Sequence, residues 1–199
     1  MFVQKGESIP MIRFKGFNDN WGEKKLGDVF LERSTRSAEG ELISVTINSG
    51  VVKSDTLDRK DNSSSDKSNY KQVKIGDLAY NSMRMWQGAS GYSPYEGILS
   101  PAYTVLIPKA EINSKFFAYM FKKTTLLQEF QRFSQGLTSD TWNLKYPALK
   151  NIKVSVPSFE EQNKIAEILS KLDNNIFLYQ DKLNKLDELK KSLLQQMFI

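Results

Sequence analysis

From Ser158 to Ile199 the chain contains neither glycine nor proline, the two residues that most readily end a helix. Within that stretch apolar side chains recur at Ile165, Leu169, Leu172, Ile176, Tyr179, Leu183 and Leu186, in alternating steps of four and three. This is a heptad seam. The seam slips where Leu189 stands beside Lys190, then resumes with Leu193 and Met197. A helix over 159–197 would measure roughly 57 Å at 1.5 Å per residue, against a usual length of about 11 to 12 residues. A rod of that length cannot bury its seam on the smaller domain before it, and an exposed seam is an aggregation liability. It calls for a second helix.

The entry to the rod is written locally. NIKVSV reads as a strand, Pro157 ends it, and Ser158 with Glu161 forms an S-x-x-E capping box. Two parts follow: residues 1–157, a globular domain, and residues 158–199, a long helix that pairs as a coiled coil.

Composition narrows the chemistry. The chain has no cysteine and no histidine, which excludes disulfide frameworks, thiol nucleophiles, Cys/His zinc sites and histidine acid/base catalysis. No P-loop pattern, N-P-P-[FY] or G-x-S-x-G elbow occurs, and acid pairs such as Glu160-Glu161 and Asp187-Glu188 fall on the helix. No enzyme activity, cofactor or metal site is expected. No apolar run reaches the roughly 18 residues of a membrane span, and the first residues lack a signal-peptide core, so a cytoplasmic protein is expected. The net charge is +5, and because the segment from Glu160 onward holds six lysines against seven acids, the basic excess lies in the globular part. A polyanion is a plausible partner for such a surface.

Within the globular part, residues 1–20 read as an arm laid on a body, and WGEKKLGDVF as a short strand or helical turn. ELISVTINSGVV reads as a hairpin or a strand with a turn, YKQVKIGDLAYN as two short strands about Gly76-Asp77, and GILSPAYTVLIP as a strand pair or one long strand with Pro101 at an edge or bend. Helical spacing begins at Ser114 as N-cap and again at Thr124 or Thr125, stopping at Gly136. The expected class is α+β: one mixed α/β domain followed by a long C-terminal helix.

The segment FSQGLTSDTWNLKYPALKNIKVSVPSFEEQNKIAEILSKLDNNI carries an F-x-x-G-x-T turn, an aromatic with N-L before a strand, P-S-x-E-E-Q, and K-I-A-x-x-L-x-x-L-D-x-x-I. It resembles the junction between a target recognition domain and its spacer helix in the specificity subunit of type I restriction-modification systems. IPMIRFKGFNDNWGEKKLGDVF is similar to that family's entry into a recognition domain, and GILSPAYTVL to its core strand. The resemblance implies a non-catalytic DNA-reading adaptor. Its partners would be double-stranded DNA, a methyltransferase subunit that binds S-adenosylmethionine, and a translocating nuclease subunit. Family members usually carry two recognition domains and two helices. One of each here implies a half subunit that pairs its helix antiparallel with a second copy, as a homodimer, or with another half subunit.

Contact residues follow from chemistry, since base edges are read by Arg, Lys, Asn, Gln, Ser or Thr on projecting loops. The first candidate loop offers Asn81, Arg84, Gln87, Ser90 and Tyr92; the second offers Gln135, Thr138, Ser139, Asn143 and Lys145. Arg59, Lys60, Lys67 and Lys71 are candidate phosphate contacts. Trp86, Trp142, Met83 and Met85 are expected to pack inside, and Gln162, Asn163, Lys171 and Asp173 to be solvated or to meet methyltransferase helices. The competing reading is a coiled-coil interaction module that never meets DNA.

Overall fold

The computed structural model describes residues 2–4, 7–58 and 63–197. In chain order the elements are β1 (Gly22–Lys25), α1 (Leu26–Val29), β2 (Phe30–Glu32), β3 (Ile43–Thr46), β4 (Gly50–Lys53), β5 (Lys71–Val73), β6 (Leu78–Asn81), β7 (Ser90–Tyr92), β8 (Gly97–Leu99), β9 (Tyr103–Pro108), α2 (Ser114–Met120), α3 (Thr124–Phe133), α4 (Tyr146–Leu149), β10 (Lys153–Val156) and α5 (Phe159–Met197). The architecture is the α+β arrangement expected.

A four-stranded antiparallel sheet in the order β2-β9-β6-β7 forms the centre, flanked by three two-stranded ladders, β1-β10, β3-β4 and β5-β8. Alternation along the central strands supplies two cores. Leu78 and Tyr80 of β6 and Leu106 of β9 enter the larger one, whereas Ala79 and Val105 face the smaller, because successive strand residues point to opposite faces. The larger core is aromatic: Phe30, Phe117, Phe121, Phe130 and Phe116 meet edge to face or nearly so. Each such side chain stabilises the domain by roughly 1.5–3 kcal/mol relative to exposure.

Neighbouring strands in the sequence do not always pair. β5 and β6 flank the Gly76-Asp77 turn but join different sheets, β5 with β8 and β6 with β9 and β7. The turn holds them apart through Asp77, whose buried carboxylate accepts from the Lys74 amide at 2.8 Å and from both Nε and Nη2 of Arg33 at 2.7 and 2.8 Å. Pro101 sits in the turn closed by the Tyr103 amide on the Ser100 carbonyl, so 97–108 is two strands with a corner between them.

Two caps differ from expectation. Asn113, not Ser114, caps α2, accepting from the Phe116 amide at 3.1 Å, and Ser114 is buried inside the first turn. Lys123 stands at the N-cap of α3 with no side-chain cap, and that helix ends at Phe133 ahead of Gly136.

α5 spans 39 residues, as the uninterrupted sequence predicts. Its first turns belong to the domain: Ile165 and Ala166 lie in the larger core with Leu169 packed beside them. Ile165, only 2% exposed, is therefore an intrachain core residue and not part of a free seam. Packing thus continues across the expected 157/158 boundary. From Leu172 onward the seam stands open, with Leu172, Ile176, Tyr179, Leu183, Leu186, Leu193 and Met197 all exposed. Phe177, Leu178, Leu189 and Leu194 add apolar surface beside it.

Only half of the capping box forms. The Glu161 amide donates to Ser158 Oγ at 3.3 Å, but the Glu161 carboxylate turns away to the arm, accepting from Arg13 Nε at 2.8 Å and Nη2 at 2.7 Å. A guanidinium fork offers a carboxylate two charge-assisted bonds, more than a single backbone amide can.

Candidate nucleic-acid interface

The first two candidate loops are far apart in sequence and adjacent in space. The Leu144 amide donates to the Ser82 carbonyl at 2.8 Å. Trp86 and Trp142 meet edge to face at 5.2 Å between ring centroids, so both tryptophans serve as packing residues that dock one loop on the other. The second loop is pinched at its neck, where Gln135 and Asn143 exchange backbone hydrogen bonds of 3.1 and 2.8 Å. Gly136 makes this possible with φ +141°, and a Cβ there would lie 2.6 Å from the Thr141 carbonyl. At the tip the Thr138 amide donates to Thr141 Oγ1 at 3.1 Å.

Two neighbouring clefts open on these loops. The larger, about 750 Å³, takes Asn81, Met83, Arg84, Ala102 and Tyr103 on one side and the 41–44 and 54–55 segments on the other. The smaller, about 340 Å³, is lined by Lys71, Asn143 and Lys145 together with Glu32, Ser82 and Thr104. Met83 and Ala102 line both, so a single ridge separates them.

The structure thus brings together five of the sequence candidates: Asn81, Arg84, Lys71, Asn143 and Lys145. Arg84 is half-buried at the head of a 3-10 turn over Met85–Gln87, and its guanidinium has no partner among the described residues. Lys145 is exposed at the N-cap of α4. Lys71 is already engaged by Glu32 at 3.3 Å. Asn81 Oδ1 accepts from the Met83 amide at 3.0 Å, bracing the loop. Asn143 lines the smaller cleft, and its amide oxygen is buried without a partner.

The others are placed differently. Ser90 is fully buried on β7, in the central sheet and not in a loop, so it reaches no surface. Tyr92, on the same strand, has its ring under the Lys115 ammonium of α2 at 5.0 Å. Gln87 is partly exposed but lines neither cleft. Gln135, Thr138 and Ser139 are exposed on the second loop outside both clefts. Lys67 is half-buried and donates to the Ser64 carbonyl at 3.2 Å. Arg59 and Lys60 lie outside the described residues.

Three surface residues were not anticipated. Met83 forms the ridge between the clefts at 40% exposure, whereas burial was expected; Met85 alone takes the core position. Leu137 stands wholly exposed at the tip of the second loop. Tyr103 lines the larger cleft from the start of β9. No periodicity marks these positions, because they lie in or beside turns. Among the described residues there is no acidic cluster that could hold a metal ion, and no helix long and apolar enough to cross a membrane.

A family model for the type I restriction modification DNA specificity domain matches residues 18–188, and the chain belongs to that family. The specificity-subunit family is non-catalytic. Among curated proteins the chain is similar to the type I restriction enzyme MjaIX specificity subunit of Methanocaldococcus jannaschii, 38% identical over 71 residues, which are 36% of this chain and 16% of that protein. It is also similar to the MjaVIII specificity subunit of the same organism, 29% identical over 117 residues, 57% of this chain and 27% of that protein. Among solved structures, a type I restriction-modification S subunit from M. genitalium superposes with TM-score 0.54 at 22% identity, covering 89% of this chain and 46% of that one. The HsdS subunit from Thermoanaerobacter tengcongensis gives TM-score 0.54 at 15% identity, covering 90% and 42%. The chain spans less than half the length of each of these relatives.

Proposed function

We propose that this chain reads one half of a bipartite DNA site for a type I restriction-modification complex, with two copies pairing antiparallel through α5. The domain of residues 1–157 is the reading head, and the helix from 158 sets the distance to the second head. Methyltransferase and nuclease subunits dock on this assembly in the cytoplasm, and S-adenosylmethionine belongs to the methyltransferase. The observation that carries the reading is the convergence of the two loops on paired clefts that hold an unpartnered Arg84 and an exposed Lys145. An unpaired guanidinium suits bidentate contact with a guanine edge, and lysine suits a phosphate. The open seam from Leu172 to Met197 supports pairing of two chains.

The test is single-molecule mapping of adenine methylation in cells that coexpress the chain with its methyltransferase partner in a host free of that modification. A palindromic bipartite motif is expected. An asymmetric motif would mean that a different half subunit supplies the second head. A stable complex that methylates no motif would sink the DNA-reading assignment and leave an interaction module.

A further inference from the structure

The helix foot is held by more polar chemistry than burial of Ile165 requires. Glu161 is 1% exposed and Gln162 is 2% exposed, both at positions where a helix this long normally shows solvent or apolar contact. Glu161 is forked by Arg13 of the N-terminal arm, whose Nη2 also donates to the Asp19 carbonyl at 2.7 Å. Gln162 spends its whole amide on backbone: Nε2 donates to the carbonyls of Pro157 at 3.1 Å and Glu111 at 3.4 Å, and Oε1 accepts from the Asn113 amide at 3.0 Å. Glu111 is the one non-glycine residue with positive φ, +59°, among the described residues, so Gln162 braces a left-handed turn. Further out, Asn113 Nδ2 donates to Asn163 Oδ1 at 2.7 Å and Tyr119 Oη to Asp173 Oδ2 at 2.6 Å. Three polar positions expected to face solvent or another subunit (Gln162, Asn163, Asp173) are thus bonded to the chain's own domain.

We infer that this constellation is a direction clamp: Arg13–Glu161 and Gln162 are positioning residues that fix the angle at which α5 leaves the domain, and through it the spacing between the two half-sites. Apolar packing is non-directional and fixes the lean of a rod on its base less sharply than bonds with set donors and acceptors. Hydrogen bonds with fixed donors and acceptors restrict it, because only one orientation satisfies them together. The contacts reach the rod from three sides: the arm, the strand end at Pro157, and the segment from Glu111 into α2. A small tilt at the foot is multiplied along some 39 residues of helix. The inference rests on the DNA-reading assignment for its consequence in base pairs, but the angle itself can be measured without DNA.

The chain has no cysteine, so Lys74→Cys on the domain and Glu188→Cys on the outer helix give two unique sites for spin labels. Electron–electron distance distributions are recorded with labelled chain diluted in excess unlabelled chain. They are compared between the parent, Arg13→Met/Glu161→Met and Gln162→Leu. The double variant replaces a buried ion pair with apolar side chains, which generally preserves stability, and thermal unfolding verifies that each variant is folded. A distribution about twice as wide in either folded variant is expected, since burial persists while directional bonds are lost. In methylation mapping the same variants would keep the bases of each half-site and accept more than one spacer length. Unchanged distance distributions in both folded variants would overturn the clamp. A parent chain that methylates no bipartite motif would overturn the DNA reading, while the distances still decide the clamp.

Discussion

Replacing Arg84 by alanine removes an unpartnered guanidinium and little packing. The expected result is loss of discrimination at one base position, worth about 1–3 kcal/mol, with affinity for unrelated DNA nearly unchanged. Lys145→Ala should behave in the opposite way, weakening binding to all sequences alike and lowering the salt slope by about 0.9. Fluorescence anisotropy of the complex on cognate and scrambled duplexes across a salt series separates the two. If the two variants gave the same pattern, the division of labour between the clefts would be wrong. Lys122 plays a different part, as a strut that donates to the carbonyls of Ile47, at 3.0 Å, and Gly88. Burial pulls its ammonium below the ordinary lysine value. Between that lowered value and the ordinary one, the unfolded chain binds more protons than the folded chain, so this group makes stability rise with pH across the window. Lys122→Met should cost about 1–2 kcal/mol at neutral pH and flatten that rise, as urea unfolding at about pH 8 and about pH 10 would register.

At the level of elements, α5 was fully legible in the sequence, because a heptad pattern without breakers permits little else. The hairpin at 43–53 and the strand pair cornered at Pro101 were each one of two local alternatives the sequence allowed, which strand pairing then decided. What escaped were decisions made by distant residues. The divergence of β5 and β6 depends on Arg33, more than forty positions away, gripping Asp77. The capping box at Ser158 looked complete, yet its glutamate was claimed by Arg13, 148 positions earlier. The candidate site divides along the same line: Arg84 and Lys145 could be chosen by side-chain chemistry, but the burial of Ser90 required knowing that residues 90–92 enter the central sheet. The free seam also yields a prediction of its own. Leu183→Asp places a charge at its middle, where both copies of an antiparallel pair would meet, and should weaken association at least tenfold, about 1.4 kcal/mol. Sedimentation equilibrium measures this, and an unchanged association constant would remove the seam as the interface.

On the scale of the whole molecule, domain and helix are one packed body at the foot and a bare rod beyond it. Since Ile165 and Leu169 are committed to the domain, the seam left open among the described residues runs from Leu172 to Met197. That is about 38 Å at 1.5 Å per residue, close to one turn of B-form DNA, about 34–36 Å. Two chains related by a dyad over that length would stand about one helical turn apart. Two reading heads set one turn apart under the proposed pairing would meet the same side of a duplex, so that the double helix need not be twisted to satisfy both.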